Sequence, residues 1–229
     1  MSGKHSSGAD LNGVCEPDRP GAPHAHHGPK EEGVALAGMR IEVSLQEVSL
    51  VFETEPGLFS PTHLDPGTHF LLSNIEFDHH DKVLDLGCGY GVMGIYIARR
   101  IGADRVYLID SNPQAIRCTT YNAELNGVSG VRIERSDGFR DFRESEFTQI
   151  VCNPPYHTDF SIAKHFIEKG FNRLVVGGSL WMVTHRETWY RNKLTSVFGG
   201  VRILRCDGYC LFQAIKKGMH YASRAGKDR

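Results

Sequence analysis

The sequence contains no apolar run approaching the roughly 20 residues that a helix needs to span a bilayer. Its first residues, Met-Ser-Gly-Lys-His, lack the apolar core of a secretory signal peptide. We therefore expect a cytoplasmic protein without a membrane partner. Charged residues make up 23% and hydrophobic residues 40% of the 229 residues, which is ordinary for a globular protein. That length fits one α/β domain with appendages.

Cys-x-x-Cys pairs are also missing. The six cysteines include no Cys-x-x-Cys motif and are scattered through segments that resemble strands and helices. This favours reduced core thiols over a disulfide framework or a zinc site, and no metal site is predicted. His24, His26 and His27 could bind a metal as a short His-rich tract, although such a cluster in a polar tail is more often simply solvated.

The net charge is only −1, but its distribution is uneven. Residues 1–160 hold 13 Lys or Arg and 23 Asp or Glu, whereas residues 161–229 hold 13 and 4, a net charge of +9. A basic C-terminal third could form a face toward a polyanion such as RNA. Solvated helix faces and a loose tail explain the same pattern equally well, so the charge permits RNA binding without demonstrating it.

The chain divides into four segments. Residues 1–38 are rich in Gly, Pro, Ser, His and Ala without a hydrophobic period, which predicts a disordered tail. In residues 39–75 an alternating run and a second β-like run predict a hairpin, followed by a turn and a short helix over 64–74 that form a lid segment. Residues 76–217 form the main domain, and residues 218–229 a basic, flexible tail.

The main domain shows strands alternating with helices. Strands are predicted at 83–86, 106–109, 131–134, 149–152, 179–183, 201–206 and 209–215, and helices at 92–101, 113–126, 161–174 and 186–198. This alternation predicts a doubly wound, mostly parallel, seven-stranded α/β sheet with helices on both faces. The last two strands are close enough to pair as a hairpin, which makes the last strand antiparallel.

A glycine-rich loop, Asp-Leu-Gly-Cys-Gly-Tyr-Gly at residues 85–91, leaves the first of these strands and enters a helix. Open α/β sheets bind ligands at the carboxyl ends of their strands, and glycines let backbone approach a ligand closely. Dinucleotide-binding folds use a related loop. The acidic first residue and the G-x-G-x-G spacing favour instead the cationic amino acid end of S-adenosylmethionine. The predicted cofactor contacts here are Asp85, Gly87, Cys88, Gly89 and Gly91.

Acidic residues also end the next two strands. Asp110, followed by Ser111, can accept both hydroxyls of a ribose through two charged oxygens. Asp137 can accept from an adenine amine, with Gly138 shaping the pocket. Each acid alone is more simply a strand-end or cap residue, but three at successive strand ends favour a site. The pattern resembles the class I S-adenosylmethionine-dependent methyltransferases, which are Rossmann-like.

The tetrapeptide Asn-Pro-Pro-Tyr at 153–156 follows the fourth strand at the same edge. Methylation of an exocyclic amine or amide requires its delocalised lone pair to be turned toward the methyl group. The side-chain oxygen of Asn153 and the carbonyl of Pro154 can accept the two N–H bonds and do this. Tyr156 can stack on a planar substrate. The alternative reading is a Pro-rich turn with a core tyrosine.

Together the motifs resemble a narrower family. The motifs that carry this resemblance are Gly-Leu-Phe-Ser at 57–60, Leu-Asp-x-Gly-Thr-x-x-Leu-Leu at 64–72, the loop at 85–91, and Asn-Pro-Pro-Tyr-His at 153–157. They are similar to the "methyltransferase small" domain, above all the catalytic half of bacterial rRNA guanine-N2 methyltransferases of the RsmC/RlmG type. The resemblance covers about residues 57–215. It implies that Phe59, Asp65, Gly67 and Thr68 close over the methionine end of the cofactor, although Asp65 and Thr68 could simply cap a helix.

The resemblance further implies that Pro155, Tyr156 and His157 contact the substrate. Two departures matter: the family members carry a second, degenerate domain where this chain has a tail, and their tetrapeptide often ends in Phe. Asn-Pro-Pro-Tyr also occurs in glutamine-N5 and adenine-N6 methyltransferases. The leading prediction is therefore methylation of an RNA base at guanine N2. A glutamine-N5, adenine-N6 or small-molecule enzyme and a non-catalytic cofactor- or RNA-binding module stay open, as does the choice between monomer and homodimer.

Overall fold

The computed structural model describes residues 38–155 and 160–221. The predictions made for the tail before residue 38, for Tyr156 and His157, and for residues beyond 221 lie outside this part of the chain. Within the described ranges, no helix is long and apolar enough to cross a membrane.

The predicted N-terminal hairpin is present. Strands β1 (Met39–Leu45) and β2 (Val48–Thr54) pair antiparallel, from Met39 opposite Thr54 to Leu45 opposite Val48. Alternate residues of both strands are buried. The hairpin therefore places one apolar face on the domain, as a period of two residues requires.

Helix α1 (Pro66–Leu72) is shorter at both ends than the predicted helix. Asp65 is its N-cap, with extended backbone angles and a side chain that accepts the Thr68 N–H. Proline is tolerated at a first helical position because its missing N–H would have no partner there. The Asp-Pro pair therefore starts the helix at residue 66, and Leu64 precedes it as ordinary loop.

The main sheet has seven strands in the order β5-β4-β3-β6-β7-β9-β8. The five strands from β5 to β7 run parallel to their neighbours, and β9 is antiparallel to both β7 and β8. The strands are β3 (Val83–Leu86), β4 (Val106–Asp110), β5 (Arg132–Arg135), β6 (Phe147–Cys152), β7 (Leu174–Thr184), β8 (Arg202–Cys206) and β9 (Tyr209–Ile215). The helices between them are α2 (Val92–Ile101), α3 (Pro113–Leu125), α4 (Phe160–Arg173) and α5 (Glu187–Phe198). The predicted doubly wound sheet with an antiparallel last strand is confirmed.

Strand β7 begins five residues earlier than predicted. Its pairing with β6 shifts register between Phe147 opposite Leu174 and Gln149 opposite Ser179. Gly177, with φ of 91°, lies in this irregular stretch. The glycine pair at 177–178, after which the strand was predicted to begin, lies inside the longer strand β7.

The sheet separates two apolar cores. Val106 and Leu108 of β4 face one core, and the intervening Tyr107 and Ile109 face the other. Helices α2 and α3 cover the first face together with the hairpin, and α4 and α5 cover the second. Strands buried on both faces are expected in a parallel sheet that is wound on both sides.

The hairpin is held to the domain by Asn122 of α3 and by Asn126, the C-cap of that helix. Asn122 accepts the Glu53 N–H (2.8 Å) and donates to the Glu53 carbonyl (2.9 Å). One helical turn later, Asn126 does the same for Val51, at 3.0 and 2.7 Å. The two amides thus pair with the outer edge of β2 as a neighbouring strand would. This attachment sets the start of the segment that leads from Thr54 to α1.

Tyr221, within the tail predicted from residue 218, contacts α4. The Tyr221 ring packs edge-on against Phe171 (4.9 Å between centroids), and its hydroxyl donates to the Glu168 carbonyl (2.8 Å). Tyr221 therefore packs on α4, and the flexibility of the tail stays a prediction.

Candidate active site

A cavity of about 290 Å³ opens at the carboxyl edge of the parallel strands. This is close to the lower end of the roughly 300–1,000 Å³ typical of ligand pockets. It is bounded by the loops after β3, β4, β5 and β6 and by the segment that contains the start of α1. Thirteen of the residues singled out in the sequence line it: Phe59, Asp65, Thr68, Gly87, Cys88, Gly89, Asp110, Ser111, Asp137, Gly138, Asn153, Pro154 and Pro155.

The loop after β3 owes its shape to left-handed backbone. Gly87 and Gly89 have φ of 79° and 58°, and a Cβ on either would meet nothing within 4 Å. These glycines are needed for conformation and not for space. The N–H groups of Gly87 and Cys88 both donate to the Ile109 carbonyl, at 2.9 and 3.0 Å, which ties the loop to the end of β4.

Gly91 has a different role from the predicted cofactor contact. It is the N-cap of α2 with φ of 97°, and it does not line the cavity. A Cβ there would lie 2.8 Å from the Ile95 Cδ1 and 3.0 Å from the Thr119 Cγ2. Gly91 is therefore required for the turn into α2 and for the close approach of α2 to α3.

Asp85 also departs from its prediction. Its side chain is fully buried and does not line the cavity, so the expected direct contact with the cofactor's amino group is not what this geometry provides. Oδ2 accepts the Gly94 N–H of α2 (2.8 Å), and Oδ1 has no hydrogen-bond partner among the described residues. Burial raises the pKa of Asp85 from 3.8 to about 7, opposed by the Gly94 bond and reinforced by the charge of Asp110. Asp85 braces the loop from beneath.

Asp110 lies in the cavity, half-buried at the end of β4. Its Oδ2 accepts the Gly89 N–H (3.0 Å) and its Oδ1 accepts the Asn112 N–H (2.8 Å). Two backbone donors thus fix the carboxylate, and each oxygen keeps capacity for a further hydrogen bond. A rigid, charged, two-oxygen acceptor fits a ribose diol. Ser111 follows it on the exposed rim.

The loop after β5 is supported by α4. Asp137 is exposed and pairs with Arg140 at 2.7 Å. Gly138 has φ of 58°, and a Cβ there would lie 2.8 Å from the Phe166 ring. His165 accepts the Phe139 N–H through Nε2 (3.2 Å), and burial lowers the pKa of this imidazole. His165 was not predicted as a site residue, because the sequence around it shows only the spacing of a helix.

The start of α1 and the tetrapeptide meet in the cavity. The Asn153 Nδ2 donates to the Asp65 Oδ2 (2.8 Å) and to the Thr68 Oγ1 (2.9 Å). The same Asp65 oxygen accepts the Thr68 N–H at 2.7 Å. Asp65 therefore caps the helix and holds the tetrapeptide at once. The capping role is confirmed, and the role of Asp65 over the methionine end of the cofactor stays a prediction. Since Nδ2 points to α1, the amide oxygen of Asn153 points away from it.

Two residues of this neighbourhood were not predicted. Tyr209, at the start of β9, donates to the Asp65 Oδ1 (3.4 Å), and its ring occupies the place of a Gly67 side chain, 2.6 Å from where a Cβ would lie. The His185 ring lies 3.8 Å from the Tyr209 ring. Tyr209 and Asp65 are 144 positions apart, and no local pattern reports such a contact. Phe59, 49% exposed, stands at the rim.

No group of three or more His, Cys, Asp and Glu residues within 38–155 and 160–221 is arranged to hold a metal ion. The cavity instead offers a fixed carboxylate, backbone donors and an apolar floor that includes Leu86, Ile109 and Phe166. That set suits a nucleoside with a polar tail.

The strand order and this site define a class I S-adenosylmethionine-dependent methyltransferase. The family model "Methyltransferase small domain" matches residues 49–213, and the chain belongs to that family.

Individual proteins support the same family. The chain is 29% identical over 178 residues to the uncharacterized protein YbxB of Bacillus subtilis, covering 75% of this chain and 89% of that protein. It is 32% identical over 167 residues to the ribosomal RNA small subunit methyltransferase C of Pseudoalteromonas atlantica, covering 71% of this chain and 48% of that enzyme. Among solved structures, the Thermus thermophilus 16S rRNA N2 methyltransferase RsmC, in complex with AdoMet and guanosine, matches with 26% identity and a TM-score of 0.71. That match covers 78% of this chain and 50% of the enzyme, so the chain spans about half the length of the rRNA methyltransferases it resembles.

Proposed function

We propose that this protein transfers a methyl group from S-adenosylmethionine to an exocyclic amine of a base in ribosomal RNA, and that the acceptor atom is guanine N2. The observation that carries the proposal is the Asn153 side chain, oriented by Asp65 and Thr68 at the cavity. The likeness to an rRNA N2 methyltransferase seen with AdoMet and guanosine supports the choice of base.

The residues of the cavity fit the cofactor. Asp110 would hold the ribose, and the Asp137–Gly138 turn lies beside the expected adenine position, backed by Phe166. Phe59, Asp65 and Thr68 would enclose the methionine end. When bound there, the cofactor supplies an electrophilic methyl group on a sulfonium. The remaining chemistry is orientation and charge stabilisation by this chain.

At the acceptor, Asn153 and Pro154 would hold the two N–H bonds of the amine. The hydrogen bonds from Nδ2 to α1 prevent the Asn153 amide from turning over, so that its oxygen, not its nitrogen, faces away from α1 as an acceptor. With both N–H bonds engaged, the nitrogen lone pair is directed at the methyl carbon. The acceptors also stabilise the positive charge that develops on nitrogen. An amide is no base, so the proton leaves to solvent after the C–S bond has broken and the C–N bond has formed.

Tyr156 would stack on the base, and Pro155 and His157 would contact the substrate. These three roles follow from the motif. Pro155 is exposed and lines the cavity, beside the buried Pro154. An aromatic residue after two prolines is a suitable platform for an unstacked base.

The test is incorporation of labelled methyl into ribosomal RNA by the wild type and by Asn153→Ala. We expect incorporation to fall by about two to three orders of magnitude, by analogy with the loss of one positioned hydrogen-bond donor from an oxyanion hole. The affinity for S-adenosylmethionine should change little. Asn192→Ala is the matched control, because Asn192 is exposed on α5. Undiminished incorporation by Asn153→Ala would show that the acceptor site is assigned to the wrong residues.

The acceptor atom is decided by mass spectrometry of nucleosides from the methylated RNA. Detection of N2-methylguanosine supports the proposal. Detection of N6-methyladenosine would show that the acceptor is adenine and not guanine. Methyl label that resists ribonuclease and stays in protein or in small molecules would favour the glutamine-N5 or small-molecule alternatives, with which the tetrapeptide is also compatible. Absence of turnover on every substrate, with the cofactor bound, would favour a binding module.

A further inference from the structure

A group of aromatic and basic side chains lies at the N-terminal ends of α4 and α5, outside the cavity. We name it the α4–α5 surface and define it as Phe160, Lys164, Arg186 and Trp189. The Phe160 and Trp189 rings are stacked at 4.2 Å with 12° between their planes. The Arg186 guanidinium lies 5.1 Å from the centre of the Phe160 ring. Both rings are half-buried, and Lys164 and Arg186 are exposed.

The surface is adjacent to the proposed acceptor site. Strands β6 and β7 are neighbours, with Cys152 opposite Met182, so the chain leaves both strands at the same edge of the sheet toward Asn153 and Arg186. A line of contacts also joins the two places. His185, next to Arg186, lies against Tyr209, which donates to Asp65, the residue that holds Asn153.

The described C-terminal range that contributes these four side chains has an excess of positive charge. Within residues 160–221 there are ten Lys or Arg and three acidic residues. Glu168 pairs with Lys193. Glu187 accepts two hydrogen bonds from Arg205, at 2.8 and 2.7 Å, and lies 3.7 Å from Arg191. Two of the three acids are thus already neutralised by other cations, and a field that attracts polyanions remains.

From this arrangement we propose that the α4–α5 surface binds the RNA strand that flanks the target base. Lys164 and Arg186 contact backbone phosphates, and the Phe160–Trp189 stack receives a neighbouring unpaired base. Basic side chains interleaved with aromatic rings are how proteins hold single-stranded nucleic acid, since phosphates need cations and every base has a stacking face. The inference rests on the proposed function insofar as RNA is the substrate.

The first experiment measures binding of a short, fluorescently labelled single-stranded RNA of mixed sequence to the full chain. Lys164→Gln with Arg186→Gln should weaken binding on the order of tenfold. It should also reduce the slope of log affinity against log salt by about 1.4, since each single-strand phosphate contact contributes about 0.7. The matched control is Arg99→Gln with Arg143→Gln, which removes the same charge from exposed positions at the amino edge of the sheet.

A second variant tests the stack. Trp189→Ala should weaken RNA binding by about tenfold, and Trp189→Phe should recover most of it, because stacking contributes about 1–3 kcal/mol for each base. S-adenosylmethionine affinity reports whether each variant is folded. If Trp189→Ala also loses S-adenosylmethionine binding, that variant is not folded, and the Lys164 and Arg186 variant alone tests the proposal.

Equal weakening by the control pair, or an unchanged affinity and salt slope in the Lys164 and Arg186 variant, overturns the proposal. The outcomes separate this inference from the proposed function. If the Lys164 and Arg186 double variant methylates ribosomal RNA with an unchanged KM, the proposed function is supported and the proposed role of the α4–α5 surface is rejected. If RNA binding depends on the surface but the wild type does not methylate RNA, the role of the surface is supported and the proposed function is rejected.

Discussion

The Asn153 Nδ2 lies 2.8 Å from the Asp65 Oδ2, although the two residues are 88 positions apart. The same oxygen accepts the Thr68 N–H and so caps α1. One carboxylate oxygen therefore joins the segment before the domain to the tetrapeptide after β6. The segment expected to cover the cofactor and the loop expected to hold the substrate are joined by this hydrogen bond, and displacement of either must disturb the other.

Replacing Asp65 isolates this link. Asn is as good an N-cap as Asp, so Asp65→Asn should keep α1 folded while removing the charged acceptor for Asn153. We expect kcat for RNA methylation to fall by up to about 100-fold, the effect of misplacing a reacting group by about 1 Å. Steady-state kinetics with a separate cofactor titration makes the measurement. Thr68→Ser, which keeps the second acceptor, should remain within about threefold of wild type. A larger loss of cofactor affinity than of kcat would assign Asp65 to cofactor binding alone.

The buried Asp85 should make stability depend on pH. Its folded-state pKa of about 7 exceeds the ordinary 3.8, so its contribution is fully present below pH 3.8 and is lost as the pH rises to about 7. The loss is at most about 4 kcal/mol, from about three pKa units at 1.36 kcal/mol each. Asp85→Asn cannot ionise, and its stability should fall less over that window. Thermal unfolding of both proteins across the window checks this, and parallel curves would contradict it.

Protonation of His165 should make cofactor binding depend on pH. The neutral imidazole accepts the Phe139 N–H beside Gly138, and protonation would remove that acceptor. Burial, Arg140 and Lys169 lower the pKa of His165, while Asp137 and Glu168 oppose them. The supporting bond is therefore present above pH 6.5 and is lost at more acidic pH.

We expect S-adenosylmethionine affinity of the wild type to weaken as the pH falls below 6.5. His165→Gln, whose amide oxygen can accept the same N–H without titrating, should lack this component. Calorimetric titrations of both proteins at matched pH values make the comparison. An identical acid limb in the two would locate the titrating group elsewhere.

Asn122 of α3 and the C-cap residue Asn126 should contribute unequally to stability. Asn122 is fully buried and donates to the Tyr90 carbonyl (2.9 Å) as well as pairing with Glu53. Asn122→Ala leaves these groups buried without partners, and we expect the free energy of unfolding to fall by about 2–4 kcal/mol. Asn126→Ala should cost about 1–2 kcal/mol, because water reaches that half-exposed site. Urea unfolding measures both, and equal costs would show that burial does not distinguish them.

Much of the fold could be predicted from local patterns. The alternation of apolar runs with amphipathic ones is decided by neighbours within a few residues, which is why α2 and the hairpin at β8 and β9 have the predicted bounds or nearly so. The errors fall where a local signal has two outcomes. The glycine pair at 177–178 lies within β7 and does not precede it, and Asp65 with Pro66 starts α1 later than its hydrophobic residues indicate.

The amino-acid sequence by itself determined the order of strands and helices, and with it the edge at which the glycine-rich loop, the strand-end acids and the tetrapeptide meet. That follows because parallel strands with helical crossovers bring all their carboxyl ends to one side. Only the tertiary structure decided which of those residues reach the cavity. Asp85 and Gly91 are turned into the packing beneath it, while Tyr209 and His165, from distant elements, support Asp65 and the loop after β5 without lining the cavity themselves. Side-chain direction at a strand end depends on what packs against it across the fold, and that information is not carried by neighbours in the chain.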